Sequence, residues 1–260
     1  MKSQKRTPEQ IANLAIQRLE KLADPARAEG AQRYFKEDFR CYGLTADQVR
    51  NLAKEMHEIV KAVWSVEDAI ELCDILLPNP YYETKALGIL VLERYKNDFP
   101  KSLFPKIKVW LSANYLNNWA AVDVLCPDAV GSLLIKYPDL LKEIPAWAKS
   151  PNRWVRRASL VSFIKLARKG EFLDPIYKIS ASHFGDPDDL IQKANGWLLR
   201  EAGKADIDRL EKFLLKYGPA IPRTTLRYAI ERFDETKRKA ILLATKKHKP
   251  KIKQQAPPFP

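Results

Sequence analysis

Residues 151-PNRWVRRASLVSFIKLARKG-170 open on a proline and an asparagine, then set apolar side chains three and four positions apart. That period belongs to a helix with one buried face, and Pro or an Asx/Ser cap is a helix-start signal. The pattern recurs along the chain, in 8-PEQIANLAIQRLEKLA, 45-TADQVRNLAKEMHEIVKAVW, 65-SVEDAIELCDILL, 80-PYYETKALGILVLERYK, 138-PDLLKEIPAWAK and 186-DPDDLIQKANGWLLREAG. Strict alternation over strand lengths is hard to find. The links are short, as they are when antiparallel helices pack in sequence. The expectation is an all-α protein.

A repeat runs through three of these segments. Lys85-Ala86, Arg157-Ala158 and Lys193-Ala194 are basic-Ala pairs separated by 72 and then 36 residues. Tyr82, Trp154 and Leu190 stand three residues before each pair, and Leu90, Ser162 and Leu198 five after its first residue. The skipped unit falls on Ala121-Val122. A period near 36 suits a helix-turn-helix repeat of the HEAT or TPR kind. Such units stack into a superhelix with a concave face. The sequence therefore predicts a right-handed-type α-solenoid of HEAT-like repeats, with an irregular helical bundle as the alternative. The recurring cation favours the solenoid, since packing alone does not ask for charge, and it predicts a concave basic face. Residues 1–245 are read as one such domain and 246–260 as a basic, Pro-rich, disordered tail.

Composition narrows the function. The chain has 260 residues and a formal charge of +13, which draws polyanions, nucleic acid first among them. Arg156, Lys165, Arg168, Lys169, Arg200, Arg223 and Arg227 thicken the basic supply of the second half. No recognition-helix or zinc-finger spacing suggests base-sequence readout. Cys41, Cys73 and Cys126, and His57, His183 and His248, are scattered, so neither a disulfide framework nor a metal cluster is expected. No Gly-rich phosphate loop is present. The N-terminus lacks the apolar run of a signal peptide, and no stretch approaches a membrane span. A cytoplasmic monomer is expected, without cofactor or metal and nucleoid-associated when bound to DNA.

The candidate chemistry lies in 117-NNWAAVDVLCPD-128. Asp123 sits among apolar neighbours, where a lone carboxylate is costly unless paired, hydrogen-bonded or functional. Trp119 precedes it by four residues and shares its helix face. Each residue also has a structural reading. A Trp on an apolar helix face is usually core, which is the expectation for Trp110 and Trp147, while Trp154 is core or groove edge. Asp123 alone suits an ion pair or a helix cap as well as catalysis.

Taken together, N-N-W-A-A-V-D, N-R-W-V-R-R-A and Q-K-A-N-G-W-L-L-R-E resemble the AlkD-like family of DNA alkylation repair glycosylases, from about Arg33, in 33-RYFKEDFRCYGL, to Phe233. The resemblance implies HEAT-like repeats holding duplex DNA on a concave basic face, with Asp123, Trp119 and Trp197 as catalytic residues and Arg157 against a backbone phosphate. It further implies hydrolysis of the N-glycosidic bond of positively charged N3- or N7-alkylated purines, with the lesion approached from the backbone side and no pocket enclosing a flipped base. Asn118 departs from relatives that carry a second aromatic before the tryptophan. With the repeat reading, Lys85, Arg156, Arg157, Lys193 and Arg200 are the expected DNA-binding cations. The alternatives are a non-catalytic HEAT-repeat DNA-binding or damage-sensing scaffold and a protein-binding solenoid.

Overall fold

The computed structural model describes residues 6–246, so most of the basic tail lies outside the described residues. Among them there is no β-strand, only an isolated bridge between Arg40 and Tyr81. The first half is built from α1 (Pro8–Lys21), α2 (Pro25–Ala31), α3 (Ala46–Val60), α4 (Val66–Leu76), α5 (Tyr82–Leu92), α6 (Leu103–Ser112), α7 (Trp119–Leu125) and α8 (Gly131–Lys136). The second half adds α9 (Ile144–Ala148), α10 (Arg153–Val161), α11 (Ile164–Arg168), α12 (Leu173–Ser182), α13 (Asp189–Ala205), α14 (Ile207–Tyr217), α15 (Arg223–Ala229) and α16 (Glu235–Ala244).

Local chemistry sets where these helices begin. Thr7 with Gln10, and Thr45 with Gln48, form reciprocal capping boxes that satisfy otherwise orphaned amides at the starts of α1 and α3. The Asn152 side chain accepts from the amides of Trp154 and Val155, and Asp188 accepts from Leu190. The stretch at 151–170 is two helices, α10 and α11, parted by a short break at Ser162 and Phe163.

Successive helices form a row. α3 packs on α5, α5 on α7, α7 on α10, α10 on α13 and α13 on α15. A second set lies behind it, with α1 against α4, α9 against α12, and α14 against α16. The core runs the length of the row as one apolar cluster. Trp110 and Trp147 are fully buried in it, as read from the sequence. Trp154 is also core, with the Arg153 guanidinium 5.7 Å from its ring centroid.

The repeat maps onto the row: Lys85 is on α5, Ala121 on α7, Arg157 on α10 and Lys193 on α13. The use of its cation differs from the sequence expectation. Lys85 is buried and donates to the carbonyls of Leu77 and Tyr115, at 2.7 and 2.6 Å. Arg157 is buried too and donates to Leu190 O in the first turn of α13. Both cations reach forward to a carbonyl at or near the start of the next helix in the row, Tyr115 and Leu190, and Lys85 also reaches back to Leu77 at the end of α4. At Leu77, which caps the C-terminal end of α4, the carbonyl has no donor within its helix, so packing itself asks for a cation there.

Candidate functional site

The short helix α7 begins where Asn118, buried, accepts the Ala121 amide at 2.9 Å. Asn118 is thus the N-cap of α7, and a polar cap is what this position requires. Trp119 and Asp123 follow on one face, one turn apart. Beyond them the helix widens into a single π turn, Cys126–Val130, containing Pro127. Pro127 has no amide to offer the Asp123 carbonyl one turn back, which is why regular α-helical bonding stops there.

α10 approaches α7 and brings Arg157 onto Asp123. The guanidinium donates from Nε to Oδ1 and from Nη2 to Oδ2, each at 2.8 Å. This is a fork-on-carboxylate pair, the strongest geometry available to the two groups. The Asp123 side chain keeps 16% of its surface open and that of Arg157 6%. Burial pushes the Asp123 carboxyl above its ordinary value, and the charge and hydrogen bonds of Arg157 pull against that rise.

The open side of the pair faces a cleft of about 310 Å³. Trp119, Trp197, Leu190, Tyr34 and Tyr228 supply its apolar surface, and Lys193 and Arg200 its remaining cations. Gly196 makes this possible. A Cβ there would lie 2.4 Å from Tyr228 Cβ and 2.6 Å from the Thr225 carbonyl oxygen, so only glycine lets α13 and α15 approach this closely. The contact brings Trp197 and Tyr228 into one wall. Tyr228 was missed by sequence reasoning, since nothing local marks it; the glycine before Trp197 was the available signal.

Trp119 is not bare on both faces. Phe35 stacks on it with ring centroids 5.0 Å apart and planes 12° from parallel. Phe39 stacks on Phe35 at 3.6 Å and leans on Tyr82 of α5 at 5.6 Å.

The structure therefore brings together Asp123, Trp119, Trp197, Arg157, Lys193 and Arg200. Lys193 pairs with Asp189 at 2.8 Å with 39% of its side chain exposed, and Arg200 pairs with Glu231. Two expected cations stand apart from the cleft lining. Arg156 bonds Asp186 and the carbonyls of Ser150 and Pro151. Lys85 is enclosed at its repeat junction, and burial lowers its ammonium to about 8. Such a value would suit a nucleophilic amine, but both carbonyls of Leu77 and Tyr115 already hold the group. Arg157 is not free for a phosphate either, since it serves Asp123 and Leu190.

Residues 15–233 match the sequence profile of a family described as "DNA alkylation repair enzyme". The chain belongs to that family. Among solved structures, a protein from Enterococcus faecalis titled "Predicted DNA alkylation repair enzyme" superimposes with a TM-score of 0.71 at 20% identity, covering 82% of this chain and 97% of the other. At that identity the likeness establishes a shared fold. No curated protein matches the chain. Membership of this DNA repair family makes DNA the substrate polymer to consider. Among the described residues no group of His, Cys, Asp or Glu is gathered to hold a metal ion, and no helix is long and apolar enough to cross a membrane.

Proposed function

We propose that the protein is a monofunctional DNA glycosylase that hydrolyses the N-glycosidic bond of positively charged N3- and N7-alkylated purines in duplex DNA. The observation that carries this reading is the Asp123 carboxylate, gripped by Arg157 yet open on one side to a cleft walled by two tryptophans. The helical row is read as a right-handed-type α-solenoid of HEAT-like repeats whose concave, basic side accepts the duplex. Residues 1–245 form the unit that acts, as a monomer in the cytoplasm and at the nucleoid.

The chemistry needs little machinery. An N3- or N7-alkylated purine carries positive charge and leaves without protonation. As the C1′–N bond breaks, its electron pair stays with the purine and neutralises it. The deoxyribose develops oxocarbenium character, and a fixed carboxylate nearby stabilises that charge. Asp123 then orients the incoming water, takes its proton as the O–C1′ bond forms, and passes it to solvent. A carboxylate has about four lone-pair sites, so the two bonds from Arg157 leave acceptor capacity for water. Trp119 and Trp197 offer π faces to the cationic sugar and base. Lys193 and Arg200 hold backbone phosphates by exchanging their present carboxylate partners for DNA. The lesion is read as approached from the backbone side, without enclosing the flipped base.

The same ion pair supports a second reading. Arg157 and Asp123 would equally well be a structural clasp in a non-catalytic DNA-binding or damage-sensing scaffold. Single-turnover release of 7-methylguanine from a defined duplex separates the two, run with the wild type beside Asp123→Asn. Release by the wild type and its loss in the variant, with DNA binding kept, supports the glycosylase. Tight binding without release of 7-methylguanine, 3-methyladenine or a bulky N7 adduct leaves the scaffold.

A further inference from the structure

The stack on Trp119 comes from a part of the chain that the chemistry above does not use. Residues 32–44 leave α2, cross to the cleft and return to α3. Their course is over-determined by polar contacts. The Gln32 side chain donates to the carbonyls of Phe35 and Glu37 and accepts the Phe39 amide, closing the loop on itself. Glu37 reaches Arg153 at the start of α10 at 2.5 Å, and Arg153 also holds Asp188 ahead of α13. At the far end the buried Glu83 carboxylate accepts the amides of Tyr42, Gly43 and Leu44. Gly43 has φ +84°, and a Cβ there would lie 2.2 Å from the Asp24 carbonyl oxygen.

A loop tied at both ends and at its middle has a fixed tip. That tip presents Phe35 and Phe39 as two nearly parallel rings, 4° apart, between Trp119 and Tyr82. The result is a column of four aromatic rings from α5 to α7. One face of the Trp119 indole is spent inside this column. Tyr34, beside it in sequence, is 63% exposed and reaches the cleft rim.

We propose that Phe35 is a positioning and specificity-determining residue for the base-release reaction: it fixes the plane of Trp119 and closes the cleft on the side of the 32–44 loop, so that substrate meets a single indole face. This rests on the glycosylase reading for its substrate, while the ring geometry is independent of it. The physical case is preorganisation. An indole on the first turn of a short helix has rotamer freedom, and a ring stacked against it removes that freedom before substrate arrives. Aromatic pairs of this geometry contribute beyond their buried area. A filled face also excludes any adduct that would slide between Phe35 and Trp119.

The test uses the full chain with Phe35→Ala, Phe35→Leu and Phe35→Tyr. The Tyr variant keeps the ring; the Leu variant keeps most of the apolar volume without it. The first readout needs no activity. Acrylamide quenching of the Trp119 emission, taken as wild type minus Trp119→Phe in each background, should rise at least about twofold in Phe35→Ala and Phe35→Leu and stay at the wild-type value in Phe35→Tyr. The second is single-turnover release of 7-methylguanine and of a bulky N7-benzylguanine from the same duplex. Phe35→Ala should slow 7-methylguanine release about tenfold, while slowing the bulky adduct less or speeding it, so that the preference shifts at least about fivefold. Phe35→Tyr should restore both rates. Quenching that does not change on loss of the ring overturns the proposal, whether or not the wild type releases any base. Parallel loss on both substrates, matched by a fall in melting temperature and unrescued by Tyr, reduces Phe35 to a packing residue and overturns it as well. A wild type that releases no base while the quenching shifts as stated removes the glycosylase reading and, with it, the specificity role, leaving Phe35 as the residue that fixes Trp119.

Discussion

Adjacent arginines in α10 each bind a carboxylate, to two different ends. Arg157 grips Asp123 and Arg156 grips Asp186, both at hydrogen-bond distance and both with a largely buried carboxylate. The first pair opens onto a cleft between Trp119 and Trp197. The second closes a corner. His183, buried, lies with Nε2 2.9 Å from Ser159 Oγ and Nδ1 3.8 Å from Asp186. Ser, His and Asp in that order look like a nucleophilic triad. The reading fails on access, because Ser159 is fully buried and its hydroxyl donates to the Arg156 carbonyl. A charged pair is therefore not a site by virtue of its residues. What separates the two is the side left open and what lines it.

The largest expected effect falls on the cleft pair. Asp123→Asn should lower single-turnover release of 7-methylguanine by about 10³-fold, with duplex affinity within about threefold. Asp186→Asn should do the reverse, costing about 1–3 kcal/mol of unfolding free energy because Arg156 loses its charged partner, with release retained. Rates and denaturant titrations on both variants give the comparison directly. Loss of release in both, in proportion to lost stability, would erase the distinction.

Arg157 sharpens it through pH. Ionised Asp123 is the working form, so release should fall as pH drops through its pKa. Removing the guanidinium in Arg157→Gln leaves burial unopposed and pushes the carboxyl further up. The ascending limb of the rate–pH profile should move to higher pH. Arg157→Lys keeps the charge without the fork and should move it less. An unshifted limb would mean that Asp123 is not the titrating group.

How far the sequence reaches depends on how local the cause is. Helix starts were legible at Pro8, Thr45 and Asn152 because such start signals act within three residues. Trp119 and Asp123 share a face because they are four apart on one helix. The fork between residues 123 and 157, the wall contributed by Tyr228 and the ring column on Phe35 depend on how helices meet, and no spacing rule supplies that. The recurring cation was visible but its use was not. Lys85 and Arg157 end on backbone carbonyls, and only Lys193 of the three has a side chain more than a third exposed.

A smaller effect tests the closed corner alone. Burial lowers His183 from 6.5 to about 4, with Asp186 opposing the drop. The unfolded chain thus binds a proton between those values that the folded chain refuses. Stability from this group is fully present above about pH 6.5 and is lost as pH falls towards 4, by at most about 1.4 kcal/mol per pH unit. Denaturant unfolding of the wild type from pH 7 to 4.5 should show the decline. His183→Gln should show a shallower one. Equal slopes would mean that the folded protein takes up the proton after all.

The smallest effect concerns DNA grip, where the two arginine neighbourhoods should differ again. Lys193 lines the cleft with its charge partly in solvent, held by a single carboxylate one helical turn away. Exchanging that partner for a phosphate costs little, since exposed pairs of this kind are worth well under 1 kcal/mol. Each phosphate neutralised releases condensed counterions, so the slope of log affinity against log salt reports how many cations meet DNA. Lys193→Ala should flatten that slope by about 0.9, one phosphate contact. Arg156 has three acceptors within the protein and 20% of its side chain exposed. It would have to abandon a buried carboxylate to reach a phosphate, which costs several kcal/mol. Arg156→Gln should therefore leave the slope unchanged even where it lowers the melting temperature. A slope that falls equally in both variants would return Arg156 to the DNA-binding surface, and the difference between the adjacent arginines would then lie in what they hold at rest rather than in what they do.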